Sequence, residues 1–460
     1  MTHPSKCHSQ LAITRRKLSE LHPDPGNPRA HTPKQIKQIA RSIETFGFNV
    51  PILIDGAGKV IAGHGRLLAC QSLGWKDVPT ITLAHLTPEQ ARAFMIADNR
   101  LTEISTWDDR LLGEQLKALS EVDLDFHLEV IGFEMAEIDL RIQGLECESG
   151  EEGPDPADDV PDPSPGPPVT RKGDIWLLGK HRLACGDALS ESDVAALMAG
   201  RTASVVFADA PFNVPIEGHV CGNGKIHHRP FAMAVGEMSP EEFTAFLRKA
   251  AENLAAHSED GSLHFLCMDH RHLRELLDAG HAVYSELKNL CVWVKDVGGM
   301  GSLYRSQHEL VLVFKKGKEA HTNNVQLGRF GRNRSNVWRY PGVNSFARAK
   351  EEGDLLALHP TVKPVALVAD ILLDVSERGQ IVLDTFLGSG TTILAAERTG
   401  RCCCGLELDP LYVDTAIRRW QAWTKVEATL ECTGETFNKV GQRREAEVQI
   451  DQVDKETSHG

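Results

Sequence analysis

Asp384-Thr385-Phe386-Leu387-Gly388-Ser389-Gly390-Thr391-Thr392 decides how this chain is read. Ahead of it lies Ile381-Val382-Leu383, an apolar run of strand type; behind it lies Ile393-Leu394-Ala395-Ala396-Glu397-Arg398, a good helix former. Strand, glycine-rich turn and helix in that order make a ligand pocket at the carboxyl end of a parallel strand. Gly388 and Gly390 let the backbone bend sharply and approach a ligand, and the helix that follows points its amide N–H groups there. The next strand-like run, Cys402-Cys403-Cys404-Gly405-Leu406, ends at Glu407, 21 residues after Phe386. An acidic residue about 20 positions past a glycine turn is placed to hydrogen-bond ribose hydroxyls. A glycine turn alone usually just connects a strand to a helix; Glu407 in register argues for the pocket.

The run from Asp384 to Tyr412, with Gly405-Leu406-Glu407-Leu408-Asp409-Pro410, resembles the S-adenosylmethionine-binding half of bacterial and phage DNA amino-methyltransferases. These act on the exocyclic amine of adenine or cytosine. The resemblance implies a Rossmann-like α/β domain with a seven-stranded, mostly parallel sheet over residues 169–440. It implies S-adenosylmethionine as cofactor, held by Asp384, Phe386, Gly388, Ser389, Gly390, Thr391 and Glu407.

Upstream, Ala203-Ser204-Val205-Val206-Phe207-Ala208 reads as a buried strand delivering Asp209-Ala210-Pro211-Phe212-Asn213. In the family this position carries the catalytic turn. A base reacts only when flipped out of the duplex, and its exocyclic amine is a poor nucleophile because the lone pair is delocalised into the ring. Asp209 and the Ala210 carbonyl can accept both amine hydrogens, Pro211 stiffens the turn, and Phe212 offers a stacking face. Ala210 stands where proline is usual; its carbonyl survives. The competing reading is an acidic turn after a strand. Asp187, at the end of the hairpin 173–185, is implied to meet the cofactor's adenine amine, or caps the helix 191–198. Lys363, in His359-Pro360-Thr361-Val362-Lys363-Pro364, is implied to cap the cofactor's methionine end. The catalytic turn precedes the cofactor turn, which is the permuted order of the beta group of these enzymes.

Composition bounds the partners. The net charge is −14, but residues 146–170 hold eight acids and no bases, while residues 295–350 hold eleven Lys/Arg against three acids. Local sign matters more than the sum for a phosphate backbone. Arg305, Arg329, Arg332, Arg334, Trp338 and Arg339 interleave basic and aromatic groups, a pattern suited to double-stranded DNA; a solvated basic face is the competing reading for any one of them. His219, Cys221, His227 and His228 match no standard zinc spacing, so no metal is expected. Eleven cysteines, three adjacent within one strand, suit reduced thiols, and no 18-residue apolar run or signal-type leader is read, so a cytoplasmic protein without a membrane span is expected.

Residues 12–145 read as a small α/β domain: a helix over 33–46, a hairpin over 50–61, a helix opening at Gly63-His64-Gly65-Arg66, a strand over 79–83, and a helix from Thr87-Pro88-Glu89-Gln90. Asn27-Pro28-Arg29, Gly63 to Leu67 and Ile96 to Arg100 resemble the ParB/sulfiredoxin-like fold found fused to phage-type methyltransferases. The resemblance implies a nucleotide phosphate at Gly63, Gly65 and Arg66, although the usual arginine pair is reduced to Arg66; a surface ion pair is the alternative. No helix-turn-helix is read after it. Residues 146–168, with seven prolines, are expected to form an extended linker that buries nothing. The tail 441–460 is expected to be disordered.

The activity these readings imply is methyl transfer to the exocyclic amine of a DNA base, adenine-N6 first and cytosine-N4 second. A non-catalytic, ParB-like, nucleotide-dependent DNA-binding regulator is the remaining alternative.

Overall fold

A computed structural model describes residues 11–122, 124–147, 155–160, 166–214, 236–298, 303–325, 332–342 and 362–457. The chain divides into two compact units, residues 1–150 and 151–460.

The first unit is built on a four-stranded sheet. Its elements are β1 (Ile13–Lys17), α1 (Pro33–Phe46), β2 (Ile52–Ile54), β3 (Val60–Ala62), α2 (His64–Ser72), β4 (Asp77–Thr82), α3 (Pro88–Glu103), α4 (Asp109–Ser120) and α5 (Met135–Cys147). The strand order is β1-β4-β2-β3, with β2 and β3 forming the hairpin. Ala40 and Ile43 of α1 pack with Ile52, Ile54, Leu67 and Val78, so the 3.6-residue spacing of apolar positions becomes a buried stripe. Thr87 accepts from the Gln90 N–H and Gln90 returns a bond to the Thr87 N–H, the reciprocal cap read from sequence. Leu116, Leu128, Ile138 and Ile142 form a separate small core between α4 and α5.

The second unit holds β5 (Ile175–Leu178), β6 (His181–Cys185), α6 (Glu191–Met198), β7 (Ala203–Ala208), α7 (Pro240–Ala256), β8 (Ser258–Met268), α8 (Leu273–Val283), β9 (Glu286–Val294), β10 (His308–Lys315), β11 (Val337–Arg339), α9 (Val365–Val375), β12 (Ile381–Asp384), α10 (Thr391–Thr399), β13 (Cys402–Glu407), α11 (Pro410–Thr424), β14 (Thr429–Leu430) and α12 (Phe437–Thr457). They make one sheet, β11-β9-β10-β8-β7-β12-β13-β6-β5-β14. Five central strands, β8-β7-β12-β13-β6, run parallel. The sheet has ten strands among the described residues where seven were expected. Short strands are annexed at both ends: β14 pairs with β5, and β11 with β9.

Helices cover both faces, and the pleat sends alternate residues to each. Val205 and Phe207 enter one core, Val206 and Ala208 the other; Cys403 and Cys404 divide in the same way.

Two sequence expectations are corrected here. Residues 155–160 of the acidic linker are ordered against the second unit: Ala157 is buried, Asp158 nearly so, and the Arg398 guanidinium grips Asp155 through two bonds of 2.7 and 2.8 Å. Composition argued against self-burial, but the acids meet basic partners distant in sequence. The tail is not disordered through to its end. α12 continues to Thr457, and Arg444 anchors its first half to Asp174 and to the Val169 carbonyl.

Candidate active site

β7 and β12 are neighbours, but the chain leaves them in opposite directions, β7 to β8 and β12 to β13. Such a switch point opens a crevice at the carboxyl ends of the strands. The catalytic turn predicted after β7 and the glycine turn predicted after β12 therefore sit side by side. β10 runs antiparallel to β8 and β9, so the start of β10 lies at the same edge as the end of β9. That register delivers Glu309 and Lys295 to the crevice.

The four charged groups form one cluster. Lys363 Nζ lies 2.5 Å from Asp209 Oδ2 and 2.9 Å from a Glu309 carboxylate oxygen; Lys295 Nζ lies 2.5 Å from the other. The Lys363 ammonium also sits 5.6 Å from the Phe212 ring centroid and 5.8 Å from that of Trp293. Asp209 Oδ1 is buried and has no hydrogen-bond partner among the described residues.

Charge follows from this geometry. Burial works against the Lys363 ammonium, yet Asp209 and Glu309 outweigh it and its pKa is raised. Burial likewise opposes the Glu309 charge, but Lys363 and Lys295 hold its carboxyl down at about 2. Asp209 goes the other way: burial raises its pKa, and the attraction of Lys363 does not cancel it. The difference is physical, since Glu309 faces two ammonium groups at contact distance and Asp209 faces one.

After Phe212 the chain turns at Asn213, in the left-handed region at φ 53°. Asparagine is among the few residues that accept this conformation. Its buried side chain accepts from the Gly236 and Met238 N–H groups and donates to the Met238 carbonyl, pinning the far end of the long loop against the catalytic turn. Residues 215–235, with His219, Cys221, His227 and His228, lie outside the described residues, as do His359, Pro360 and Thr361.

At the glycine turn, Gly388 has φ 55° and Gly390 φ 91°. A Cβ on Gly390 would come within 2.8 Å of the Ala416 methyl, so only glycine lets α10 and α11 approach this closely. Glu407 Oε2 accepts from the Gly388 N–H and Oε1 from the Asp409 N–H, both at short range. The acceptor capacity left on the carboxylate is open to a ligand hydroxyl. Burial raises the Glu407 pKa against these backbone bonds. Asp384 turns inward instead, accepting from the Phe386 N–H and the Thr392 hydroxyl, and burial pushes its carboxyl up to about 7. It braces the turn. Phe386 is half-buried against Phe246. Ser389 and Thr391 are buried and both accept from the Arg419 guanidinium. Asp187 is half-buried and accepts from the Leu189 N–H; the cap of α6 is Ser190, not Asp187.

The basic segment is largely corrected. Arg332 is buried and pairs with Asp370 and Asp374; Arg334 pairs with the same two carboxylates and with the Tyr340 hydroxyl. Trp338 is buried beside Phe265, its indole N–H given to the Ser335 carbonyl. The two arginines tie the β11 segment to α9, and Trp338 packs into the core. Arg339 and Arg305 are exposed, and Arg329 lies outside the described residues. In the first unit, Gly63 takes φ 99° at the start of α2, and the Arg66 guanidinium folds over it with Nε buried and without a partner among the described residues.

Family models match three stretches of the chain: a DNA methylase of the N6/N4 type over residues 203–418, a ParB N-terminal domain over residues 4–99, and a ParB-methyltransferase HTH domain over residues 110–172. The last overturns the expectation that no helix-turn-helix segment follows the first domain. The leucines of α4 and the Asp108 cap that starts it carried a helical signal there. Among curated proteins, the chain is 46% identical to the ParB-like nuclease domain-containing protein YnaK of Escherichia coli, over 18% of this chain and 93% of that one. It is 38% identical to the type II methyltransferase M.ScaI of Streptomyces caespitosus, over 21% of this chain and 32% of that one. Among solved structures, the cytosine-N4-specific PvuII DNA methyltransferase is 16% identical with a TM-score of 0.39, covering 60% of this chain and 95% of that one. The ten-stranded unit with its paired turns, preceded by the four-stranded unit, belongs to the DNA amino-methyltransferases of the adenine-N6/cytosine-N4 family that carry a ParB-like domain at the amino end.

Proposed function

We propose that the protein methylates the exocyclic amine of a base in double-stranded DNA, at adenine N6, with S-adenosylmethionine as donor. The observation that carries this reading is the asymmetry of Asp209. One carboxylate oxygen is held by Lys363 while the other is buried and has no partner among the described residues. An unpaired buried acceptor is costly, and a donor N–H relieves it. An exocyclic amine supplies that donor. When the amine gives its hydrogens to Asp209 Oδ1 and to the Ala210 carbonyl, its lone pair turns toward the cofactor side of the crevice. Pro211 restricts the turn, and Phe212 offers a ring face to the flipped base.

The cofactor supplies a methyl group already activated on a sulfonium. The residues near it act by binding: Glu407 on the ribose hydroxyls, Asp187 on the adenine amine, and the turn Phe386–Thr391 along the remaining length. The fit rests on the acceptor capacity left on Glu407 and on the glycine geometry at 388 and 390. Catalysis is alignment and exclusion of water.

Adenine is favoured because aspartate at this position resembles the adenine enzymes, whereas serine is frequent in those acting on cytosine. Incubation with labelled S-adenosylmethionine and unmethylated DNA, followed by digestion to nucleosides, tests it. Label in N6-methyladenosine is expected. Label solely in N4-methylcytosine would overturn the base assignment, and no label in either would overturn the activity.

A second reading concerns the first unit. The folded-back Arg66, its Nε without a partner among the described residues, over a left-handed Gly63, suits a phosphate oxygen at the start of α2. Equilibrium dialysis against nucleoside triphosphates, with Arg66→Gln as control, tests it; equal retention by both proteins would sink it.

A further inference from the structure

A short piece of the acidic linker lies directly behind the glycine turn. The Ala157 carbonyl accepts from Arg419 Nη2 at 2.7 Å and Nε at 3.2 Å. The third nitrogen of the same guanidinium, Nη1, donates to the Ser389 carbonyl, the Ser389 hydroxyl and the Thr391 hydroxyl, at 3.2–3.3 Å. The Thr391 hydroxyl in turn donates to the Lys363 carbonyl at 3.3 Å. Asp158 Oδ1 accepts from the Val365 N–H at 2.8 Å, two residues beyond Lys363. Asp155 closes the set through its paired bonds to Arg398.

These contacts form a ring. It runs from the linker to Val365 and Lys363, across to Thr391, through Arg419, and back to Ala157. Arg419 is 3% exposed, Ala157 2% and Thr391 7%, so the ring is dry and its bonds are not exchanged cheaply for water. A planar guanidinium presents donors in a fixed fork. Moving the acceptor on one side of Arg419 therefore moves the donors on the other. The linker acids also offset buried positive charge, since Asp155, Asp158 and Asp159 all act on Arg419.

We propose that residues 155–158 are a docked strap belonging to the cofactor site, and that the strap sets the position of Ser389 and Thr391 through Arg419 as positioning residue. The proposal rests on reading the glycine turn as the cofactor site. When the strap comes away, Nε and Nη2 of Arg419 lose their carbonyl in a buried place and the guanidinium must re-aim. The turn at Ser389 and Thr391 shifts with it. Cofactor affinity then depends on a segment that precedes the methyltransferase sheet in the chain.

The test uses the full chain. In one variant the strap is made unable to dock by Asp155→Ser, Pro156→Gly, Ala157→Ser and Asp158→Gly together, at unchanged length. Calorimetric titration with S-adenosylmethionine should show a dissociation constant raised tenfold or more. Turnover at saturating cofactor should stay within a few-fold of the parent, so the loss falls on KM and not on kcat. A charge exchange provides the second arm: Asp155→Arg and Arg398→Asp should each weaken binding, and the two combined should recover most of it. If the parent protein binds S-adenosylmethionine and the folded strap variant binds within twofold of it, the strap proposal is overturned. Should the four-fold variant not fold, the exchange decides, and failure of the double variant to recover affinity overturns the proposal. If the parent itself does not bind, the reading of the cofactor site is what fails.

Discussion

Asp209 is a carboxylate with two unlike oxygens, and the prediction at this scale follows from that. Asp209→Asn keeps the shape of the turn but can present an N–H where an acceptor is needed. S-Adenosylmethionine affinity should stay within about twofold, while kcat should fall by roughly 10²–10³, the range for removing one aimed polar group. Near-parental turnover would show that the amine is oriented by something else. Lys363→Met leaves Asp209 and Glu309 buried without the cation they share. The Asp209 pKa, already raised by burial, should rise further. Because the ionised carboxylate is the acceptor, the acid limb of the pH–rate profile should move to higher pH, and an unmoved limb would refute the coupling. Asp384 gives a stability counterpart. Its pKa is raised from 3.8 to about 7 by burial, so between those values the folded state binds the proton more tightly than the unfolded chain. Stability from this group is therefore fully present at low pH and is lost as pH rises toward 7, by on the order of 4 kcal/mol at the upper end. Asp384→Asn mimics the protonated form and should flatten that part of the melting-temperature profile relative to the parent.

Elements place what residues cannot place for themselves. Arginines and aromatics interleave between Arg332 and Tyr340, a pattern suited in sequence to a DNA contact. The acids that neutralise them, Asp370 and Asp374, are one helical turn apart on α9 and more than 30 residues away in sequence. Arg332→Ala should thus cost stability, about 3–5 kcal/mol for breaking a buried pair on one side, measured by denaturant unfolding. It should leave the salt dependence of DNA binding by the remaining folded protein unchanged. Arg339, which is exposed, is the better electrostatic candidate: Arg339→Ala should reduce the slope of log affinity against log salt by roughly one if it meets a phosphate. A slope change with Arg332→Ala and none with Arg339→Ala would reverse the assignment.

At the scale of the molecule, the division after residue 150 is more instructive than a boundary at 168. A fragment of residues 151–460 keeps the strap, whereas one beginning at residue 169 loses the Asp155 carboxylate that pairs with Arg398 and the Ala157 carbonyl that takes two bonds from Arg419. The longer fragment should unfold at a higher temperature than the shorter, by several degrees, for a difference of a few buried charge-assisted bonds. Equal melting temperatures would show that the strap contributes nothing to the fold of its unit.

The local grammar of this chain was legible without coordinates. Strand, glycine turn and helix around Gly388, the acid 21 residues on at Glu407, the reciprocal cap of α3 and the turn at Asp209 are short-range patterns, and backbone sterics and hydrogen bonding make such patterns readable in one dimension. Tertiary structure alone decided which charges meet. Glu309 and Lys295 reach the crevice because β10 reverses direction beside β8 and β9. Arg332 and Arg334 leave the DNA-facing set because α9 carries their acids. The linker is ordered in part because Arg398 and Arg419, some 240–260 residues later, supply what its own composition lacks. Burial and pairing of charge depend on partners brought together by the sheet, and no spacing along the chain encodes that distance.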